Sequence, residues 1–246
     1  MQDKAVWRVT ANQARLERPE VAAMVELSEP QLGVRRLVLG GHDAADLDLL
    51  QVQPEAPDAP ALQLRDFYVR DQDLVAYYEE ADRDIVVQVY WRIVLPPAPA
   101  VVGLELIASV QTESLDSDPR LQIGSRIPAD ELLHLPDEAG SQWQRVDVPS
   151  DGVWRGAIRG ALLYRSASWP YSYVEMTDAG DCRCLELAGS GAAGVVSRFH
   201  LFDDHLEKGV IRRARLRGAF LPRQQDATAA VACARQFARC ELPLTA

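Results

Sequence analysis

A chain of 246 residues, 48% apolar and 25% charged, has the balance of a folded globular protein and is long enough to bury a core without disulfide staples. Its 36 acidic against 26 basic residues leave a net charge of −10 and a pI near 4.9, which argues against nucleic acid as a partner, because that binding rests on neutralising phosphates. No apolar run reaches bilayer length, and the opening MQDKAVWRVT lacks the basic and apolar regions of a signal peptide, so a cytoplasmic protein with no membrane partner is expected.

Strand signals dominate from the start. VAAMVEL (21–27) leads through SEP to LGVRRLVL (32–39), a GGHD turn and LDLLQVQ (47–53). After the proline-rich loop 54–61, residues 67–95 read as a short strand and two long ones around ADRD. The second long strand alternates, with Ile85, Val87, Val89, Trp91 and Ile93 on one face and Val86, Gln88, Tyr90 and Arg92 on the other. VVGLELIASVQT (101–112) repeats the pattern, with Glu105, Ser109 and Gln111 on its polar side. Residues 113–150 read as loop with one helical turn. GVWRGAIRGALLYR (152–165) reads as one strand, placing Trp154, Ile158, Leu162 and Tyr164 opposite Arg155, Arg159 and Arg165. SWPYSY (168–173) looks loop-like, and YSYVEMTD and CRCLELAG suggest a hairpin across AGD.

DATAAVACARQFARCEL predicts one helix over about 226–242, N-capped by Asp226 and ended by Pro243. C-R-C is not a zinc or thioredoxin spacing, so Cys182, Cys184, Cys233 and Cys240 are expected to be buried and reduced, the first two sharing a strand face. Twelve to sixteen strands plus one helix specify an all-β fold, a large antiparallel β-sandwich occupying 1–246 as one domain.

SRFHLFDDHLEKGVIRRARLRG (197–218) concentrates the chemistry. With Lys208-Gly209 as a two-residue turn, it becomes a hairpin pairing His205 with Arg212, Asp204 with Arg213 and His200 with Arg217. Phe199, Leu201, Ala214, Leu216 and Phe220 then face the core. Arg213, Arg215 and Arg217, with His200 and Asp204 beside them, form a polar stripe able to hold a carboxylate or sulfate, or to pair with acids of a neighbouring strand. The two histidines fall on opposite faces because five is an odd separation on a strand, which argues against a joint metal site. Asp203, His205 and Glu207 at the tip are a fainter metal candidate. Gln88, Tyr90, Arg92, Glu105, Arg155 and Arg159 line polar faces that suit sugar hydroxyls, or that are simply solvated.

AAMVELSEPQLGVRRLVLGGHDAADLDLLQVQ resembles the opening of galactose mutarotase-like proteins: an apolar strand, a turn, a Leu-Gly entering a second strand, and a further turn. The resemblance implies a large antiparallel supersandwich that serves aldose epimerases and also non-catalytic modules of carbohydrate-active enzymes. Catalytic members use two histidines and a glutamate. His134 in ELLHLP has no second histidine at the family's spacing, and the catalytic residues stay unassigned. There is no G-x-S-x-G, H-E-x-x-H, G-K-[ST] or dinucleotide motif, and no cofactor is expected. Three functions follow: a saccharide-binding sandwich without recognisable catalytic motif, a cryptic carbohydrate-active enzyme (epimerase, lyase or hydrolase) on that fold, or a structural or protein-interaction sandwich.

Overall fold

Alternating apolar and polar residues bury one face of each strand, and here that burial takes place between two sheets. A computed structural model describes residues 6–240 other than 45, 56–58, 81–83, 137–141, 158–159, 179, 190–193 and 203–204. The strands are β1 (Trp7–Thr10), β2 (Gln13–Glu17), β3 (Val21–Glu26), β4 (Val34–Leu39), β5 (His42–Ala44) and β6 (Asp48–Pro54). Next come β7 (Gln63–Arg70), β8 (Asp73–Glu80), β9 (Ile85–Val94), β10 (Val102–Thr112), β11 (Leu121–Ile127), β12 (Glu131–Leu135) and β13 (Gln144–Arg145). The chain ends with β14 (Trp154–Gly156), β15 (Ala161–Arg165), β16 (Tyr171–Thr177), β17 (Cys182–Gly189), β18 (Val195–Leu201), β19 (Ile211–Pro222) and helix α1 (Asp226–Arg239).

A ten-stranded sheet runs β1-β2-β3-β4-β6-β11-β18-β17-β14 with β5 beside β4, and a nine-stranded sheet runs β13-β12-β15-β16-β19-β10-β9-β8-β7. The expected all-β sandwich with one α-helix is therefore present among the described residues. The inward residues of β9 and β10 fall where alternation puts them, and the main core lies between the sheets. A second core lies between β12, β15, β16, β19 and α1, where Leu163, Val174 and Leu221 meet Ala230, Cys233 and Phe237. That cover explains why ALLY and YVEM are apolar on both faces. The Leu-Gly of the opening segment has a steric cause: Gly33 follows a short 3-10 turn at Pro30–Leu32 with φ 65°, and a side chain there would run into the Leu49 carbonyl oxygen.

Connectivity departs from the sequence reading in several places. β18 pairs with β11 and β17, while β19 pairs with β10 and β16. The 197–218 run is thus no hairpin but a corner between sheets. Its Lys208-Gly209 turn does form, with the Val210 amide donating to Glu207 (3.0 Å). β16 and β17, expected to pair, also lie in different sheets. The single strand expected over 152–165 is two, β14 and β15, again one in each sheet. Residues 113–150 contain β11, β12 and β13 where loop was expected. β15, β16, β17, β18 and β19 each keep an apolar face inward, so alternation is equally satisfied by a hairpin or a sheet switch, and only packing separates them.

Smaller corrections concern local chemistry. Asp226 is the first helical residue rather than the cap, which is Gln225 in the left-handed region. Its carboxylate is instead a docking point, accepting from Arg165 Nε and Nη2 (2.9 and 2.7 Å) and Ser172 Oγ (2.6 Å). All four cysteines are free, but only Cys233 is fully buried. A bulge between Cys182 and Cys184 separates the pair: Cys182 packs on the core, while Cys184 pairs with His200. SWPYSY is partly strand, and Trp169 packs edge-on against Tyr171 and Phe220.

Candidate functional site

The outer face of the ten-stranded sheet carries a cleft of about 700 Å³. Strand register builds its floor. Gln53 on β6 stands opposite Gln122 on β11, Gln122 opposite His200 on β18, and His200 opposite Cys184 on β17. The next row is Gln51, Gly124, Arg198, Glu186 and Arg155. Cross-strand partners share a face, so two rows of polar side chains converge from five strands. Glu55, just past β6, and Gln31, in the turn before β4, close one side.

Hydrogen bonds hold the first row in line. Gln53 Nε2 donates to Gln122 Oε1 (3.0 Å), and Gln122 Nε2 lies 3.4 Å from His200 Nδ1. His200 is fully buried, with Nδ1 3.0 Å from Glu55 Oε1 and Nε2 3.3 Å from Glu186 Oε1. The Nε2 contact is out of hydrogen-bonding alignment, and both Nε2 and Glu55 Oε2 are buried without a hydrogen-bond partner among the described residues. Arg155 donates from Nε to Glu186 (2.8 Å). Burial pushes the Glu186 carboxyl up, but the Arg155 hydrogen bond and the His200 charge outweigh it and hold it below the usual range. An imidazole between two carboxylates, flanked by amides and guanidinia, can bind hydroxyl groups and can move protons.

Two of the sequence candidates, His200 and Arg155, therefore meet in this cleft. Arg159, Asp203 and Asp204 lie outside the described residues. His205 and Glu207 are exposed at the sheet-switch corner, His205 beside Asp116 (3.2 Å). No group of three or more metal-ligating side chains occurs among the described residues. His134 is on β12, in the other sheet.

The remaining candidates occupy the outer face of the nine-stranded sheet, on the opposite side of the sandwich from His200. Arg217 pairs with Glu105 through Nε (2.7 Å) and Nη2 (2.5 Å). Arg92 forks onto Asp73 (2.6 and 2.7 Å). Gln88 bonds the Tyr77 hydroxyl (2.5 Å), and Tyr90 packs with Val75 and Ile107. Arg215 donates to the Phe237 carbonyl (3.0 Å) in the last turn of α1 and stacks over the Phe237 ring at 4.1 Å. Arg213 sits on the same strand, in register with Ser109. Within the arginine stripe, Arg217 thus holds an acid of the neighbouring strand and Arg215 holds the helix.

Gln53, Glu55, Gln122, Glu186 and Arg198 escaped sequence reasoning. Gln51 and Gln53 alternate visibly in LDLLQVQ, but Gln122 falls in a stretch read as loop. Glu186 and Arg198 are ordinary strand charges until register joins them.

No family model matches the sequence. No curated protein matches it either. Solved structures do match. The GalM/aldose epimerase homologue from C. elegans superposes with a TM-score of 0.56 at 7% identity, over 83% of this chain and 97% of that one. A galactose mutarotase-like protein from Lactobacillus casei gives 0.53 at 9% identity, over 85% and 99%. A GH36 alpha-galactosidase from Geobacillus stearothermophilus gives 0.56 at 9% identity, and the chain spans 41% of that enzyme's length. At such identities the likeness is one of fold: this chain has the large antiparallel supersandwich of the galactose mutarotase-like structures.

Proposed function

We propose that the cleft on the ten-stranded sheet binds a saccharide. The observation that carries this reading is the aligned row of Gln53, Gln122 and His200, bordered by Glu55, Glu186 and Arg155. Planar amides, carboxylates and a guanidinium offer paired donors and acceptors at the spacing of adjacent hydroxyls. The volume fits a small ligand rather than a macromolecule. Support also comes from the fold, which the chain shares with the structures named above.

Isothermal titration with neutral hexoses and their uronates tests the reading. Binding in the millimolar range or tighter is expected, and Gln122→Leu should weaken it several-fold while leaving the protein folded. No heat from any saccharide at tens of millimolar would remove the proposal.

A second reading, proton transfer on the bound sugar, is favoured by one feature: an imidazole with a carboxylate oxygen near each nitrogen. Polarimetry of a freshly dissolved α-hexose measures it. Acceleration of mutarotation that disappears in His200→Gln supports an enzyme. An unchanged rate alongside sugar binding leaves a binding protein.

A further inference from the structure

Four arginines stand in or beside the cleft, and they are not equivalent. Arg155 bonds Glu186, Arg183 bonds Glu55 (2.5 Å), and Arg120 bonds Asp118 (2.9 Å). Arg198 lines the cleft with no ion pair or side-chain hydrogen bond among the described residues, although it is in register with Glu186. Gly124 stands opposite it on β11. The side-chain stem of Arg198 lies 3.7 Å from where a Cβ on Gly124 would stand, and that same Cβ would come within 2.9 Å of the Ser197 carbonyl oxygen. Position 124 is therefore kept bare by the Ser197 backbone, and the Arg198 stem lies beside it on the cleft floor.

On the other face of the sandwich Arg92 and Arg217 are satisfied by buried acids, Asp73 and Glu105. A protein with 36 acidic residues has no shortage of carboxylates to place beside Arg198. Resting on the saccharide reading above, we infer that the ligand supplies that carboxylate: the cleft takes a uronate-type sugar whose carboxylate is received by Arg198, while its hydroxyls meet Gln53, Gln122 and the His200 group. A guanidinium presents a planar fork that matches a carboxylate with two parallel hydrogen bonds. A phosphate dianion fits less well. One unpaired guanidinium would face two negative charges, with Glu55 and Glu186 in the same cleft adding repulsion.

The test compares glucuronate, glucose and glucose 6-phosphate by titration calorimetry at neutral pH, on the wild-type protein and on Arg198→Gln and Arg198→Lys. Glucuronate should bind about tenfold or more tighter than glucose, as expected for a bidentate charged contact. The preference should shrink as salt is raised. Arg198→Gln should abolish the preference for glucuronate over glucose with the melting temperature unchanged, and Arg198→Lys should restore only part of it. Equal binding of glucose and glucuronate would overturn the inference while leaving the saccharide reading in place, as would a preference that survives Arg198→Gln. Tighter binding of the sugar phosphate would overturn the carboxylate assignment. Failure of all three sugars to bind would take the saccharide reading down as well.

Discussion

The two outer faces of the sandwich use the same residue types to opposite ends. On the nine-stranded sheet, Arg217 closes onto Glu105, Arg92 onto Asp73, and Arg215 onto the end of α1. On the ten-stranded sheet, His200 stands between two glutamates, Arg198 is unpaired among the described residues, and a cleft of about 700 Å³ is open above them. Charge content does not separate a structural face from a functional one. What separates them is whether the charges are matched one for one, and whether an element such as α1 lies across them. A matched, covered charge contributes to folding. A surplus or crowded one in an open cleft is available to a ligand.

The sharpest way to break this contrast is to cut equivalent arginine–glutamate pairs on each side. Arg217→Ala leaves Glu105, 2% exposed, with only Arg92 at 3.9 Å as a cationic partner among the described residues. Urea unfolding should show a loss of about 3 kcal/mol, the cost of stranding a buried carboxylate, with sugar binding by the folded protein unchanged. Arg155→Gln, by contrast, removes a solvent-exposed partner of Glu186 and should leave the urea midpoint nearly unmoved while weakening sugar binding several-fold. Similar stability losses in both variants would erase the distinction.

Next in size is the anchor of α1. Burial pushes the Asp226 carboxyl up, but hydrogen bonds from Arg165 and Ser172 outweigh it and hold it below the usual range. Asp226→Asn should cost about 2 kcal/mol at pH 7 by urea unfolding. A depressed carboxyl stabilises the fold above its unfolded pKa and loses that contribution as pH falls through its folded value. The gap between wild type and Asp226→Asn should therefore narrow in strong acid. A gap that persists there would mean the loss is one of packing and not of charge.

The smallest effect lies between the faces. Glu175 on β16 points into the main core, 1% exposed, and accepts from Tyr164 Oη (2.7 Å) and Ser197 Oγ (2.9 Å). Burial raises its pKa, and those hydroxyls only partly counter the rise. The sign is opposite to that of Asp226: a raised carboxyl contributes fully below its unfolded pKa, and its contribution falls as pH climbs through the folded one. Glu175→Gln should match wild type near pH 4 and melt about 2–4 °C higher at alkaline pH. A variant that is less stable at every pH would show that the core needs the carboxyl itself.

Much of the architecture was legible in the chain. The alternation of β9 and β10 placed every inward residue correctly, and the alanine-rich segment after Gln225 is a helix docked on a sheet. The opening strand-turn-Leu-Gly segment pointed to the right fold because Gly33 is sterically obligatory there. The site was legible only in fragments. In the sequence, Arg155 belongs to the arginine face of 152–165 and His200 to the charged run 197–218 beside Arg213, Arg215 and Arg217, and no local pattern joins the two. Register arithmetic assumed that neighbours in sequence pair, and β18 and β19 do not.

By itself, then, the sequence determined which residues face inward, since a side-chain period of two is a local property of a strand. Which sheet each strand enters was decided only in the tertiary structure. A sandwich corner and a hairpin bury the same apolar face, so their difference lies in long-range packing that no local pattern encodes. That choice sent Arg215 and Arg217 beneath the end of α1 and brought Gln53, Gln122, His200, Glu186 and Arg198, from four separate strands, to one cleft.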